Sequence, residues 1–206
     1  MIDIKIVTDN DFKESLWSGG KTRELLIFPR SSSYKEKNFD YRLSTASVEE
    51  PTTVFSDVSS YHRLIMTLDH SISLKNADKK EVKILQPFES YYFEGHEKVF
   101  SVGECKDFNL MYNNKYDGQI MAIASNNDPI CGNNPIQIIY ALNDLNYQIE
   151  GKDSGFLQAN NLLIVKQNTQ AAKIRIHLSP IHDGKKSMLA VWTGLSYRNG
   201  LSLHDL

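Results

Sequence analysis

The feature that most constrains this chain is a short apolar alternation that recurs from one end to the other. Ile2, Ile4 and Ile6 alternate with polar residues, as do Val82 and Ile84, Leu162 and Ile164, and Ile174, Ile176 and Leu178. Successive side chains of a strand point to opposite faces, so this pattern buries one face and wets the other. Each run lasts only about 4–8 residues before a turn cluster. The clusters are Asn76-Ala77-Asp78, Asn113-Asn114, Asp117-Gly118, Asn126 to Pro129, Gly132 to Pro135, Gly151 to Gly155 and Asp183-Gly184. Many short strands punctuated in this way predict an antiparallel sandwich or barrel. Pro135 to Tyr140 is short and β-branched, which predicts a buried strand. A single stretch, Asp9 to Trp17, carries helix signals. Asp9 or Asn10 offers a cap, Phe12 and Leu16 lie four apart, and Gly19-Gly20 would end the helix.

A chain of 206 residues can form one large domain or two small ones. The polar stretch Tyr112 to Gly118 is the softest boundary. A division there gives residues 1–115 and 116–206, each of a size that suits one small β-barrel, with strands shared between them allowed. Lys plus Arg is 23 and Asp plus Glu is 25, so the formal charge is 23 − 25 = −2. There is no cationic excess to meet phosphates, and nucleic acid is not an expected partner. No apolar run approaches the ~18 residues of a membrane-spanning helix. The alternating, acid-bearing N-terminus does not read as a signal peptide. Two cysteines, Cys105 and Cys131, make no disulfide framework and read as free thiols in a reducing compartment. The expected location is therefore cytoplasmic.

Four segments carry residues that can do chemistry. In Trp17 to Glu24, two adjacent glycines precede Lys21-Thr22. Position 15 is a serine, so the first glycine of a phosphate loop is missing, and the segment reads as a tight turn into a strand. Within that strand Thr22 and Glu24 share one face and Arg23 takes the other. In Tyr41 to Val48, Arg42, Ser44 and Ala46 share a face, which suits either a polar lumen or an edge strand. Phe55-Ser56 precedes Arg63, which opens an apolar run. A planar guanidinium there is a natural clamp for a carboxylate, and a surface ion pair is the plainer alternative. In Gly103 to Met111, Asp107 and Asn109 share one face and Phe108 and Leu110 the other, as in a strand lining a polar pocket or one with a solvent face.

Metal and nucleophile motifs are missing. None of the six histidines forms a His-x-His pair, and His177 and His182 flank Pro180. There is no Gly-x-Ser-x-Gly elbow and no recognisable catalytic cysteine frame. Neither a metal nor a cofactor is expected.

Taken in order, these segments resemble the HutD/Ves family. The residues that carry the resemblance are Trp17, Gly19-Gly20, Thr22-Arg23-Glu24, Pro29, Arg42-Leu43-Ser44, Ala46, Phe55-Ser56, Arg63, Gly95, Gly103 and Asp107 to Met111. They span about residues 12–111; the C-terminal half carries no quotable motif. The resemblance implies an all-β, cupin-like (RmlC-like) fold with two small barrels in one chain, a bicupin, without the metal ligands of metal cupins. It further implies a non-enzymatic small-molecule binder, with a regulatory role in histidine catabolism or stress, and Arg63 at the position of a ligand-anchoring arginine. Three departures lie near the implied pocket mouth: Lys21 in place of a glycine, Ser59-Ser60 before the Arg, and Asp69-His70-Ser71 after its strand.

The expectation is therefore a small anionic metabolite held by Arg63, with Glu24, Asp107, Asn109 and Arg42 as polar partners and Trp17 as a wall. Lys21 is a candidate second positive group. A metal-independent isomerase or hydrolase using Glu24 or Asp107 as general base is the rival reading. A structural or partner-binding β module with a filled interior is the third. The number of copies in the assembly is left open, a dimer included.

Overall fold

The computed structural model describes residues 2–125, 129–167, 173–181 and 188–198, and the structural statements below concern those residues. The predicted turns at 126–128 and 183–184, and His182, lie outside them.

The chain divides into two compact units. The first, Phe12–Tyr116, holds two antiparallel sheets. The larger sheet is ordered β2 (Lys13–Trp17), β3 (Gly20–Phe28), β4 (Tyr41–Val48), β11 (Cys105–Asn113), β6 (Tyr61–Thr67), β9 (Ser90–Glu94). The smaller is ordered β5 (Thr52–Val54), β10 (Val99–Val102), β7 (Ile72–Asn76), β8 (Glu81–Leu85). Val48, Ile65, Phe93 and Cys105 of the larger sheet pack with Ile72, Leu74, Leu85 and Val99 of the smaller, so the apolar core lies between the sheets.

The second unit, Met1–Asp11 with Asp117–Leu206, repeats the plan. One sheet runs β1 (Ile2–Val7), β17 (Leu162–Gln167), β14 (Ile136–Ala141), β19 (Met188–Tyr197), β12 (Tyr116–Ala124). The other runs β13 (Ile130–Gly132), β18 (Ile174–Pro180), β15 (Leu145–Ile149), β16 (Asp153–Leu157). Its core draws on both sheets, with Ile139, Leu163, Val165 and Trp192 against Leu145, Ile149, Leu157 and Ile176. The segment Ile136–Ala141 is buried throughout, as its β-branched composition predicts.

Three local expectations change. The sequence division placed residues 1–11 with the N-terminal half, but β1 pairs antiparallel with β17, Ile4 opposite Val165, and belongs to the second unit. The predicted helix over Asp9 to Trp17 is a single 3₁₀ turn, Asp9–Asp11, followed by β2. The Asp11 carboxylate accepts from the Thr8 amide at 3.2 Å, while β2 pairs with β3, Leu16 opposite Lys21. Strand pairing satisfies more backbone groups than one isolated helical turn does. Phe12 ends against the Arg23 guanidinium, and Leu16 stays 84% exposed, so their four-residue spacing marks no buried face. In β8 the apolar parity is inverted: Val82 and Ile84 are exposed, and Leu85 is buried. β8 is an edge strand, and the face that carries Val82 and Ile84 looks away from the core that Leu85 enters.

Candidate functional site

The inner face of the larger sheet in the first unit is polar along its middle. Antiparallel register places Arg42, Met111 and Arg63 in one row across β4, β11 and β6. Ser44, Asn109 and Ile65 form the next row, and Ala46, Asp107 and Thr67 the one after. Side chains of a row point the same way, so alternation alone puts two arginines, an amide and a carboxyl on one surface. The smaller sheet contributes Thr53, Val54, Ile72 and Ser101 from the other side, with Phe55 and Ser56 just beyond β5. These residues, Thr67 apart, enclose a cavity of ≈ 240 Å³, which Ser15, Trp17, Thr22, Tyr34 and Cys105 also line.

Arg63 is 3% exposed. Its guanidinium carbon lies 4.8 Å from the centre of the Phe55 ring and 4.9 Å from that of Phe93. Two aromatic faces hold the cation by their quadrupoles without using its donors. Nη1 donates to the Ser56 carbonyl at 3.2 Å and Nη2 to Asn109 Oδ1 at 3.4 Å, both long; Nε has no partner although it is buried. Burial lowers the Arg63 pKa to about 10, against the nearby charge of Asp107. It is a cation at neutral pH with donor capacity to spare.

Arg42 is held differently. Its Nε donates to Glu24 Oε2 at 2.7 Å and its Nη1 to Ser44 Oγ at 3.0 Å, and the group lies 4.5 Å from the Tyr34 ring centre. Asp107 is 3% exposed. Its carboxyl accepts from Asn109 Nδ2 at 2.6 Å and from the Ala46 amide. Burial pushes its pKa up to about 7, against those hydrogen bonds and the charge of Arg63. Cys105, two residues away on the same face, is also buried, and its thiol is pushed up to about 12.

Of the residues singled out in the sequence, Trp17, Arg42, Arg63, Asp107 and Asn109 line the cavity together. Glu24 does not; it backs Arg42. A bulge between Glu24 and Leu26 shifts the register of β3 on β4 just beyond it. Lys21 is not at the cavity either, since its Nζ pairs with Glu14 at 2.6 Å. Arg42 is the second positive group. Gly20, at φ +144 with Ser47 O where a Cβ would stand, makes the tight turn into β3. Gly19 leaves the space that the Trp17 ring occupies beside Thr53.

Sequence reading missed Tyr34, Thr53, Ser101, Cys105 and Met111. Cys105 and Met111 were findable by extending the Asp107–Asn109 alternation two residues each way. Tyr34 comes from an irregular connection that carries no periodic signal.

Among the described residues no group of His, Cys, Asp and Glu is arranged to hold a metal ion. The cavity offers one carboxyl and one protonated thiol facing two guanidinium groups, a donor set that repels a cation. No metal-dependent step fits it.

Two units, each of two antiparallel sheets, the first with an arginine-lined cavity between them, define an all-β, cupin-like protein. The chain belongs to the HutD family, whose model matches residues 9–180. Among solved structures, a conserved protein of unknown function, PA5104 from Pseudomonas aeruginosa, aligns with a TM-score of 0.79 at 21% identity, covering 94% of this chain and 99% of that one. HutD from Pseudomonas fluorescens aligns at 0.72 and 20% identity, covering 96% and 100%. An oxalate decarboxylase from Bacillus subtilis aligns at 0.60 and 9% identity, covering 96% and 79%. At these identities the likeness is one of fold. Comparison with curated proteins gives no match. No helix among the described residues is long and apolar enough to cross a membrane.

Proposed function

We propose that this protein binds a small anionic metabolite, a carboxylate, in the cavity of its first unit, without turning it over. The observation that supports this reading best is Arg63: a buried cation in a cavity, flanked by aromatic rings, with an unpartnered Nε and two long hydrogen bonds. Leaving buried donors unused costs free energy, and a carboxylate satisfies two of them at once. Glu24 compensates Arg42 and leaves Arg63 as the attractor. A regulatory part in amino-acid catabolism or stress is compatible with such a binder.

The test is ligand-induced thermal stabilisation with a panel of small carboxylates. Formate is the natural first probe, since the Pseudomonas fluorescens HutD structure comes from a formate condition. A charge-assisted Arg–carboxylate contact contributes about 1.5–3 kcal/mol, so Arg63→Ala should weaken binding by ~10–100-fold while the apo protein stays folded. Unchanged stabilisation in the variant overturns the reading.

One observation favours a second reading. A carboxyl near neutrality is suited to general-base work, and Asp107 is such a group, whereas Glu24 is committed to Arg42. Turnover of any carboxylate in the panel, lost in Asp107→Asn, would establish it. The filled interior expected of a purely structural module is not what the first unit has.

A further inference from the structure

A guanidinium, Arg63, and a carboxyl group, Asp107, face one cavity, yet no ion pair joins them. Asn109 stands between. Its Oδ1 accepts from Arg63 Nη2 at 3.4 Å, and its Nδ2 donates to Asp107 Oδ1 at 2.6 Å. The two groups are thus held apart by the span of one amide. A carboxylate is the same planar Y in size and shape as that amide. Placed beside Asn109, it offers one oxygen to Arg63 and presents the other to Asp107.

Resting on the anion-binding reading above, we propose that Asp107 determines which ligands the cavity accepts: it holds a proton and donates it in a hydrogen bond to the second oxygen of a carboxylate whose first oxygen Arg63 binds. The anion enters together with one proton, and no bond breaks beyond that proton's uptake from solvent. Ionised, Asp107 is acceptor-only and repels an incoming carboxylate; protonated, it is a donor. The site therefore takes carboxylates and discriminates against ligands that lack a second acceptor oxygen.

The surroundings allow Asp107 this role. On the larger sheet the ionisable groups facing the cavity are Arg63 on β6, Arg42 on β4 with Glu24 behind it, and Cys105 on β11. Cys105 stays a neutral thiol, its burial raising its pKa to about 12. Tyr34 stacks on Arg42 rather than on Asp107. Asp69, just past β6, adds negative charge that disfavours ionisation of Asp107. The smaller sheet brings only Thr53, Val54, Ile72 and Ser101, none of them ionisable near neutrality. Burial pushes Asp107 up to about 7, so a bound anion has only to raise it further to keep the proton in place.

The test is titration calorimetry of the whole chain with sodium acetate, in buffers of differing ionisation enthalpy, from about pH 6.5 to about 8.5. The wild type should take up close to one proton per acetate at the alkaline end, with affinity falling up to ~10-fold per pH unit there. Asp107→Asn keeps a donor, and should bind acetate with no proton uptake and a flat pH profile. Acetamide, the isosteric amide, should bind the wild type more weakly than acetate at about pH 6.5. Acetate binding without proton uptake, or a pH slope retained in Asp107→Asn, overturns the role of Asp107 and leaves the anion site standing. No binding of acetate or formate at any pH overturns both. If Asp107→Asn does not fold, the buffer series on the wild type decides alone.

Discussion

The Nε of Arg42 and the Oε2 of Glu24 meet at 2.7 Å, with both side chains largely buried. This pair explains why two arginines in one cavity are not equivalent. The charge of Arg42 is compensated from the strand beside it, whereas Arg63 has only the more distant Asp107. Glu24→Gln keeps an oxygen acceptor but removes the compensating charge. Breaking a buried pair costs up to about 3–5 kcal/mol when nothing replaces the lost partner. With the amide retained the expected loss is about 1–3 kcal/mol, measured by urea denaturation. The same variant should bind acetate several-fold more tightly, because the cavity wall gains an uncompensated cation. A weaker acetate affinity with unchanged stability would show that Glu24 contacts the ligand.

The two cysteines should differ sharply in reactivity. Cys105 is buried in the cavity wall, and burial pushes its thiol up to about 12; Cys131 is exposed. The thiolate is the reactive species, so at about pH 8 a disulfide reagent should titrate one thiol per chain in the native protein and a second only after denaturation. Prior saturation with a carboxylate should not change the native count. Two fast-reacting thiols in the native state would mean that the cavity is open to reagents far larger than a metabolite.

Gly19 positions Trp17. A Cβ at residue 19 would collide with the Trp17 ring and lie 2.9 Å from Thr53 Cγ2. The ring, which is 39% exposed at the cavity edge, has to move if that space is filled. Gly19→Ala should shift the tryptophan emission maximum and weaken acetate binding by a few fold, with a stability loss of about 1–3 kcal/mol from overpacking. Trp192, in the core of the second unit, is the internal reference; Trp17→Phe removes the shifting component. An unchanged spectrum in Gly19→Ala would place the alanine methyl at the expense of Thr53 instead.

Much of this site was legible because a strand declares its faces. Asp107 and Asn109, and Arg42 with Ser44, are two apart and therefore share a face whatever the tertiary structure. Long-range pairing decided the rest. Nothing local to Ile2–Val7 says that its partner is Leu162–Gln167, more than 150 positions away. The segment Asp9 to Trp17 offers helical spacing, and only the hairpin with Gly20–Phe28 overrides it. Glu24 has the correct parity to face the cavity, but Arg42, brought beside it by the pairing of β3 with β4, takes its carboxylate. The aromatic sandwich on Arg63 joins Phe55, just after β5, to Phe93 on β9, a meeting that no spacing rule anticipates.

Asp107 also leaves a signature in the stability of the empty protein. Burial raises its folded pKa to about 7 from an ordinary value of 3.8. Between about pH 4 and about 7 the folded chain therefore keeps a proton that the unfolded chain has released. The native state binds more protons in that window, so this group's contribution makes stability fall as pH rises, by up to about 1.4 kcal/mol per unit, and level off above about 7. Glu97 works in the opposite sense and at lower pH. Burial raises its pKa, but bonds to Lys79 and Asn76 outweigh that and leave it below 4.5, so its contribution is present above that value and lost as acid is added. Urea denaturation of the wild type at about pH 5 and about pH 7 should show the Asp107 loss, and Asp107→Asn, which cannot ionise, should be free of it. The stability gap between variant and wild type should thus move in favour of the variant as pH rises. A gap that stays constant across the window would mean that Asp107 is already ionised in the folded protein at pH 5, paired with Arg63 and not available as a proton donor.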